Sequence, residues 1–293
     1  MKTPTAVAPQ ATATWTWSLG PALLVCLAAP AFFVAQIVWL GWALLAAALI
    51  SAWLVDRHHG VAIMPTRQAA VGTSAPSLFR DLSLIAVGQL IVSAIPLHAE
   101  LDNPAFLRFT LALGGAVVVP YVISRFVYRD YAIRFPWRGG GRWSRVQWIW
   151  LVGVLALGWL ILPFYFITSG VYQNWPVVNT PDLIARLFVG VGAVGIWDEL
   201  FFICTVFVLL RRHLVVWQAN VLQTVVFVAF LWELGYQAWG PALTIPFALL
   251  QGIVFLRTRS LAYVVTVHLL FDAVVFLVLV HAHNQGALPI FLV

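Results

Sequence analysis

At 293 residues, with 62% hydrophobic and 9% charged side chains, a net charge of +6 and a mean hydropathy of +0.95, the chain is too apolar for an ordinary soluble domain. A greasy soluble core would lack the polar surface to cover it. The basic residues are spread between apolar runs, which suits membrane orientation and anionic headgroups and argues against a nucleic-acid partner. The composition points to an all-α fold, a polytopic transmembrane helical bundle in a lipid bilayer.

Residues 1–17, MKTPTAVAPQATATWTW, hold one Lys among Thr, Ala and Pro and read as a disordered cytoplasmic tail; the apolar run behind them is too long for a signal-peptide core. Apolar runs then predict spans over 19–36, 37–55, 82–98, 104–124, 147–169, 185–210, 217–236, 240–256 and 260–281. The first two form one 37-residue run with Pro21 and Pro30, too long for one ordinary crossing, so eight or nine spans result. Residues 56–80 read as a linker, and Arg134 to Arg145, RFPWRGGGRWSR, as a loop anchored on headgroups, without the strand and Gly-Lys-Ser signature of a phosphate loop. Cys26 and Cys204 lie in apolar runs and read as small buried hydrophobes.

Charge tests this layout. With nine crossings and a cytoplasmic N-terminus, Lys2, Arg57, Arg67, Arg80, the Arg125 to Arg145 group, Arg211, Arg212, Arg257 and Arg259 share the cytoplasmic side. Only Arg108 and Arg186, near span ends, do not. The opposite side receives Glu100 and Asp102 and the polar loop from Gln173 to Asp182. The expected protein is a multi-pass one of a bacterial-type plasma membrane. Its parts are the tail 1–17, scaffold helices over 18–182, a chemical core over 183–282 and a C-terminal tail over 283–293.

Four of the ten acidic residues, Asp198, Glu199, Glu233 and Asp272, fall inside predicted spans, and His268 joins them. An acid at a helix centre costs about 2.5 to 3.5 kcal/mol on insertion scales, so four together call for common partners or a hydrated cavity. Counted from the cytoplasmic ends at 1.5 Å per residue, Glu199, Glu233 and Asp272 lie about 18 to 24 Å deep and His268 about 12 Å deep. His268 and Asp272 are four apart and share a helix face. Asp198 and Glu199 point about 100° apart, so one faces the reacting centre while the other braces it. His281 and His283 are expected at the exposed far edge, His58, His59, His98 and His213 in loops or interfaces, and Arg108 either snorkelling or paired with Asp102 or Glu100.

The segments WDELFFI, FLWELG and HLLFD, in this order on late helices, resemble the CPBP family of intramembrane proteases, which includes the type II CAAX prenyl endopeptidases and immunity-type relatives. The family pattern is EExxxR, then FxxxH, then HxxxN or HxxxD, and the likeness covers roughly residues 183–282. It implies that Asp198 and Glu199 stand for the paired glutamates, the first as general base for a water. It also implies that His268 and Asp272 form the oxyanion-stabilising motif, and that Glu233 takes the place of the water-positioning His. The chain departs from the pattern at Ile203 for the Arg, at Ala229 for the Phe, at Glu233 and at Asp198.

These residues and this resemblance together point to an intramembrane endopeptidase acting on a peptide or membrane-protein substrate that reaches the cavity from the cytoplasmic side. An Asp198 and Glu233 pair sharing a proton is chemically sufficient to activate water, with His268 polarising the carbonyl. No cofactor is required, though carboxylates plus one His also suit Zn, Mn or Fe. Two alternatives remain: a catalytically inactive, immunity-type relative that binds a peptide, lipid or membrane protein, and an ion-coupled carrier, for which no half-helix repeat is evident.

Overall fold

A computed structural model describes residues 16–62, 76–284 and 290–291. The N-terminal tail up to residue 15, the middle of the expected linker and most of the expected C-terminal tail lie outside the described residues. The described residues form nine helices: α1 (Leu19–Val34), α2 (Val38–Ala62), α3 (Leu78–Val92), α4 (Asn103–Val127), α5 (Arg145–Thr168), α6 (Pro181–Leu210), α7 (Val216–Leu234), α8 (Pro241–Thr258) and α9 (Leu261–His283). Hydrocarbon leaves no water to satisfy backbone amides, so segments this apolar close their hydrogen bonds within themselves as helices. Six of them, α2, α4, α5, α6, α8 and α9, are long and apolar enough to cross a membrane. This is an integral membrane helical bundle.

The ends differ from the apolar runs for local reasons. The expected span 82–98 stops as helix α3 at Val92, because Pro96 has no amide to donate and the chain turns at Ser93. Residues 56–62, expected as linker, continue α2 instead. There Asp56 accepts from the Ser77 hydroxyl at 2.7 Å and from the amides of Leu78 and Phe79 at 3.1 and 3.0 Å, tying α2 to the open N-terminus of α3. Helix α6 starts earlier than its apolar run, at Pro181, because Thr180 caps it by accepting from the Leu183 amide.

Two helices are central. In α6 and α9, 72% and 61% of the most apolar window is buried within the protein, against 22% to 39% in the other four long helices. Most of the late chemistry-bearing residues therefore sit on rods wrapped by other rods. Cys26 and Cys204 are buried free thiols, as their surroundings suggested. His281 departs from expectation: it is buried, with its ring edge-on to Phe291.

The two ends of the bundle carry different glue. At the basic end, Arg212 bridges Asp81 of α3 and Asp130 after α4, at 2.8 and 2.7 Å, and His213 meets the second oxygen of Asp81 at 2.6 Å. The glycine-rich loop is packed there too. Leu261 donates to the Pro136 carbonyl, and a side chain at Gly139 would strike the Arg259 carbonyl, so this loop seats the root of α9 as well as facing headgroups. At the acidic end, Arg186 donates to Asp182, to the Leu101 carbonyl and to Asn103, while Arg108 pairs with Glu100 at 2.8 Å.

Asp81 is 1% exposed and holds two partners. Replacing it by Ala leaves His213 without its buried partner and Arg212 with Asp130 alone, and breaking a buried pair costs about 3 to 5 kcal/mol. A large drop in unfolding temperature in detergent is the expected outcome for Asp81→Ala, with little change for Asp182→Ala on the exposed pair.

Candidate functional site

Where α6 reaches mid-bundle, its hydrogen-bond pattern widens from α to π over Glu199–Phe207. The Thr205 hydroxyl donates to the Leu200 carbonyl five residues back, occupying an acceptor within the wide turn. Wide turns of this kind recur at functional sites because they re-aim the side chains at their edge. Here the edge residues are Asp198 and Glu199, both 2% exposed.

His268 of α9 lies between them. Its Nδ1 is 2.8 Å from Glu199 Oε1, and its Nε2 is 3.5 Å from Asp198 Oδ2 and 3.8 Å from Asp272 Oδ1. Both ring nitrogens thus face carboxyl groups. Glu199 Oε1 also accepts from the Gln251 amide of α8 at 2.7 Å, and Gln251 donates in turn to the Val264 carbonyl at 3.2 Å. Glu199 is therefore the brace: two donors hold one oxygen and fix the imidazole plane, as an acid fixes a catalytic His in hydrolase triads. Asp198, His268 and Asp272 line a cavity of about 460 Å³, and Asp198 Oδ1 is buried without a hydrogen-bond partner.

The cation of the family pattern is absent at its place. Ile203 is 2% exposed in the apolar core, and the donors to Glu199 are an imidazole and a neutral amide. Glu233 also stands apart from the cluster. It is half-buried near the acidic end of α7, accepts from the Leu97 amide at 3.3 Å and has His98 as its electrostatic neighbour. Asp198, Glu199, His268 and Asp272 are brought together; Glu233 is not.

Two contributors carry no charge and were missed by a reading of ionisable residues. Gln251 was visible as a lone amide in the apolar run LLQGIV. Gly195 lies one turn before Asp198, and a Cβ there would overlap the Asp272 carboxylate. Its missing side chain is the notch that lets α9 bring Asp272 against α6. Among the described residues, no group of three or more His, Cys, Asp and Glu side chains has the arrangement of a metal site.

The geometry defines a membrane-embedded helical protein with a buried carboxylate and imidazole centre open to an apolar cavity. Residues 179–274 match the family described as type II CAAX prenyl endopeptidase Rce1-like, and this match is consistent with a CPBP family intramembrane protease. The matched region is under half of the chain and contains the whole cluster. The family is one of CAAX proteases, that is, hydrolases, so it supports a protease-type function acting on membrane-embedded protein substrates. No curated protein matches the chain, and no solved structure does.

Gly195→Ala forces a methyl group into the Asp272 carboxylate, and overpacking of this kind costs about 1 to 3 kcal/mol. In a double-mutant cycle the penalty is expected to shrink when Asp272→Ala is added, because the clash is removed; additive penalties in detergent unfolding would show that the notch is not what Gly195 supplies.

Proposed function

We propose that the chain is an intramembrane endopeptidase in which Asp198 activates a water molecule and His268 acts on the scissile carbonyl. The observation that carries this reading is the division of labour around one imidazole. Glu199 and Gln251 lock the Nδ1 side, while Nε2 is turned toward two cavity-lining carboxyl groups. In the attack step, ionised Asp198 takes a proton from water and the hydroxyl oxygen bonds to the carbonyl carbon. The carbonyl oxygen becomes an oxyanion that accepts from the protonated Nε2 of His268. In the collapse step, the C–N bond breaks and the amine nitrogen receives the proton held by Asp198, leaving a carboxylic acid and an amine and returning Asp198 to its ionised form. Asp272 Oδ1 also lies near Nε2, at 3.8 Å.

Glu199 is a positioning residue in this scheme. A carboxylate that fixes the ring tautomer contributes through orientation, and its loss lowers turnover while leaving substrate binding in place. Glu233, tied to Leu97, is outside the reacting group, which separates this scheme from an Asp198 and Glu233 dyad.

The two schemes part on one pair of variants. Asp198→Asn in the purified, reconstituted protein is expected to lose at least about 100-fold in turnover, the lower bound typical of general-base loss, whereas Glu233→Gln keeps turnover near wild type. Equal loss in both would favour the dyad, and unchanged turnover in Asp198→Asn would end the hydrolytic reading. The absence of a cation at Ile203 favours a second reading, a binding-only relative; saturable peptide binding without hydrolysis by the wild-type protein is its signature.

A further inference from the structure

The loop RFPWRGGGRWSR takes no part in the proposed chemistry, yet it sets four arginines and no acid within twelve residues at the basic end of the bundle. Its place there is fixed. A Cβ at Gly139 would strike the Arg259 carbonyl and one at Gly140 the Thr258 carbonyl, so only bare backbone lets the loop lie this close to the link between α8 and α9. Gly140 and Gly141 take φ of 79° and 72°, which glycine adopts without a side-chain penalty. Leu261 donates to the Pro136 carbonyl, Trp143 stands edge-on to Tyr263 of α9, and the Tyr263 hydroxyl donates to the Gln147 carbonyl at 2.8 Å. The loop is built into the bundle at the root of α9.

That packing collects cations from three stretches of chain. Arg138 and Arg142 flank the glycines, Arg145 opens α5, Arg257 lies in the last turn of α8 and Arg259 follows it. All five are exposed, and none of the five guanidinium groups has an ion pair, hydrogen bond or ring contact among the described residues. Other arginines of this end are engaged: Arg57 lies 3.6 Å over the Trp53 ring, Arg125 lies 4.0 Å over Tyr131, and Arg212 holds Asp81 and Asp130. The remaining acid here, Asp56, is committed to the start of α3. The backbone adds further donors, since the amides of Gly140, Gly141 and Arg142 donate to no group among the described residues. Successive free amides at a glycine turn are an anion-binding element.

Depth identifies the source of the anion. The spans α5, α8 and α9 begin or end at Arg145, Thr258 and Leu261, so these cations stand at the edge of the apolar layer, where lipid phosphates lie. Trp137 and Trp148 are exposed beside them, and indoles at a span end mark the same level. Immediately inward, Val146 and Ile149 present exposed apolar side chains on α5, three residues apart and so on neighbouring positions of one face. A guest that carries both a phosphate and hydrocarbon satisfies the two surfaces together. A free phosphate satisfies only the first.

We infer that the glycine turn at Gly139–Gly141, together with Arg138, Arg142, Arg257 and Arg259, is a discrete site for the phosphate of one anionic phospholipid, whose acyl chains lie against the apolar start of α5. The loop half of this site precedes residues 179–274, which match the protease family, and its occupancy does not depend on hydrolysis. A bound lipid joins the loop to the link between α8 and α9 through a shared phosphate. It thereby steadies the root of the helix that carries His268.

The test titrates the purified full chain in nonionic detergent with phosphatidylglycerol, with phosphatidylcholine of the same acyl chains and with glycerol phosphate, and counts bound molecules by native mass spectrometry. One phosphatidylglycerol per chain is expected to bind saturably, without displacement by phosphatidylcholine. The pair Arg138→Gln and Arg142→Gln should weaken that adduct roughly 30-fold, or about five-fold for each charge near the membrane surface, while Arg57→Gln with Arg80→Gln, an equal loss of charge at the same end, should change it less than about two-fold. Phosphatidylglycerol should also raise the unfolding temperature of the wild-type chain but not that of the Arg138 and Arg142 pair, whose unfolding temperature without lipid matches wild type. Equal retention of phosphatidylcholine, binding that grows without saturating, or equal weakening by the Arg57 and Arg80 pair overturns the site. Displacement by glycerol phosphate at the same concentration as the lipid overturns the assignment to a phospholipid.

Discussion

Carboxyl groups buried in a membrane protein must be satisfied by one another's partners, and the architecture around α6 and α9 follows from that requirement. Asp198, Glu199 and Asp272 converge on one imidazole, and a neutral amide from a third helix joins it on Oε1 of Glu199. Each part of the surrounding fold serves this convergence. Gly195 removes the side chain that would hold α9 off, the π turn aims two adjacent acids to useful directions, and the peripheral helices shield the pair from lipid. Without that mutual satisfaction each acid would carry an insertion cost of about 2.5 to 3.5 kcal/mol.

Much of this was legible in the chain because hydrocarbon is a strict solvent. Apolar length alone placed most helix ends within a few residues, whereas α2 runs on to Ala62 and α3 stops at Val92, before Pro96. Four-residue spacing put His268 and Asp272 on one face. Depth counted along the apolar runs suggested one slab for all the acids, but Glu233 sits one residue from the end of α7 and accepts from the Leu97 amide. Gln251 and Gly195 were passed over for a different reason: a lone amide and a missing side chain acquire a role only when the helix they face is known. The π turn likewise is set by packing and by the Thr205 hydroxyl, with no composition signal of its own.

The region that matches the protease family holds the carboxylate and imidazole cluster, yet one wall of the cavity, α4, lies before it. The cavity is thus built from more of the chain than the matched region. Two arginines that sit against the charge bias of the layout, Arg108 and Arg186, gain an account in the same terms. Both hold the acidic end of α4 in place, one through Glu100 and the other through Leu101 and Asn103.

Two of the buried acids sit on α6 at the edge of the π turn and the third on α9, so any shift of one helix along the other changes their distances to the imidazole together. With no side chain at Gly195 to act as a spacer, the Asp272 carboxylate itself sets how near the two helices lie there.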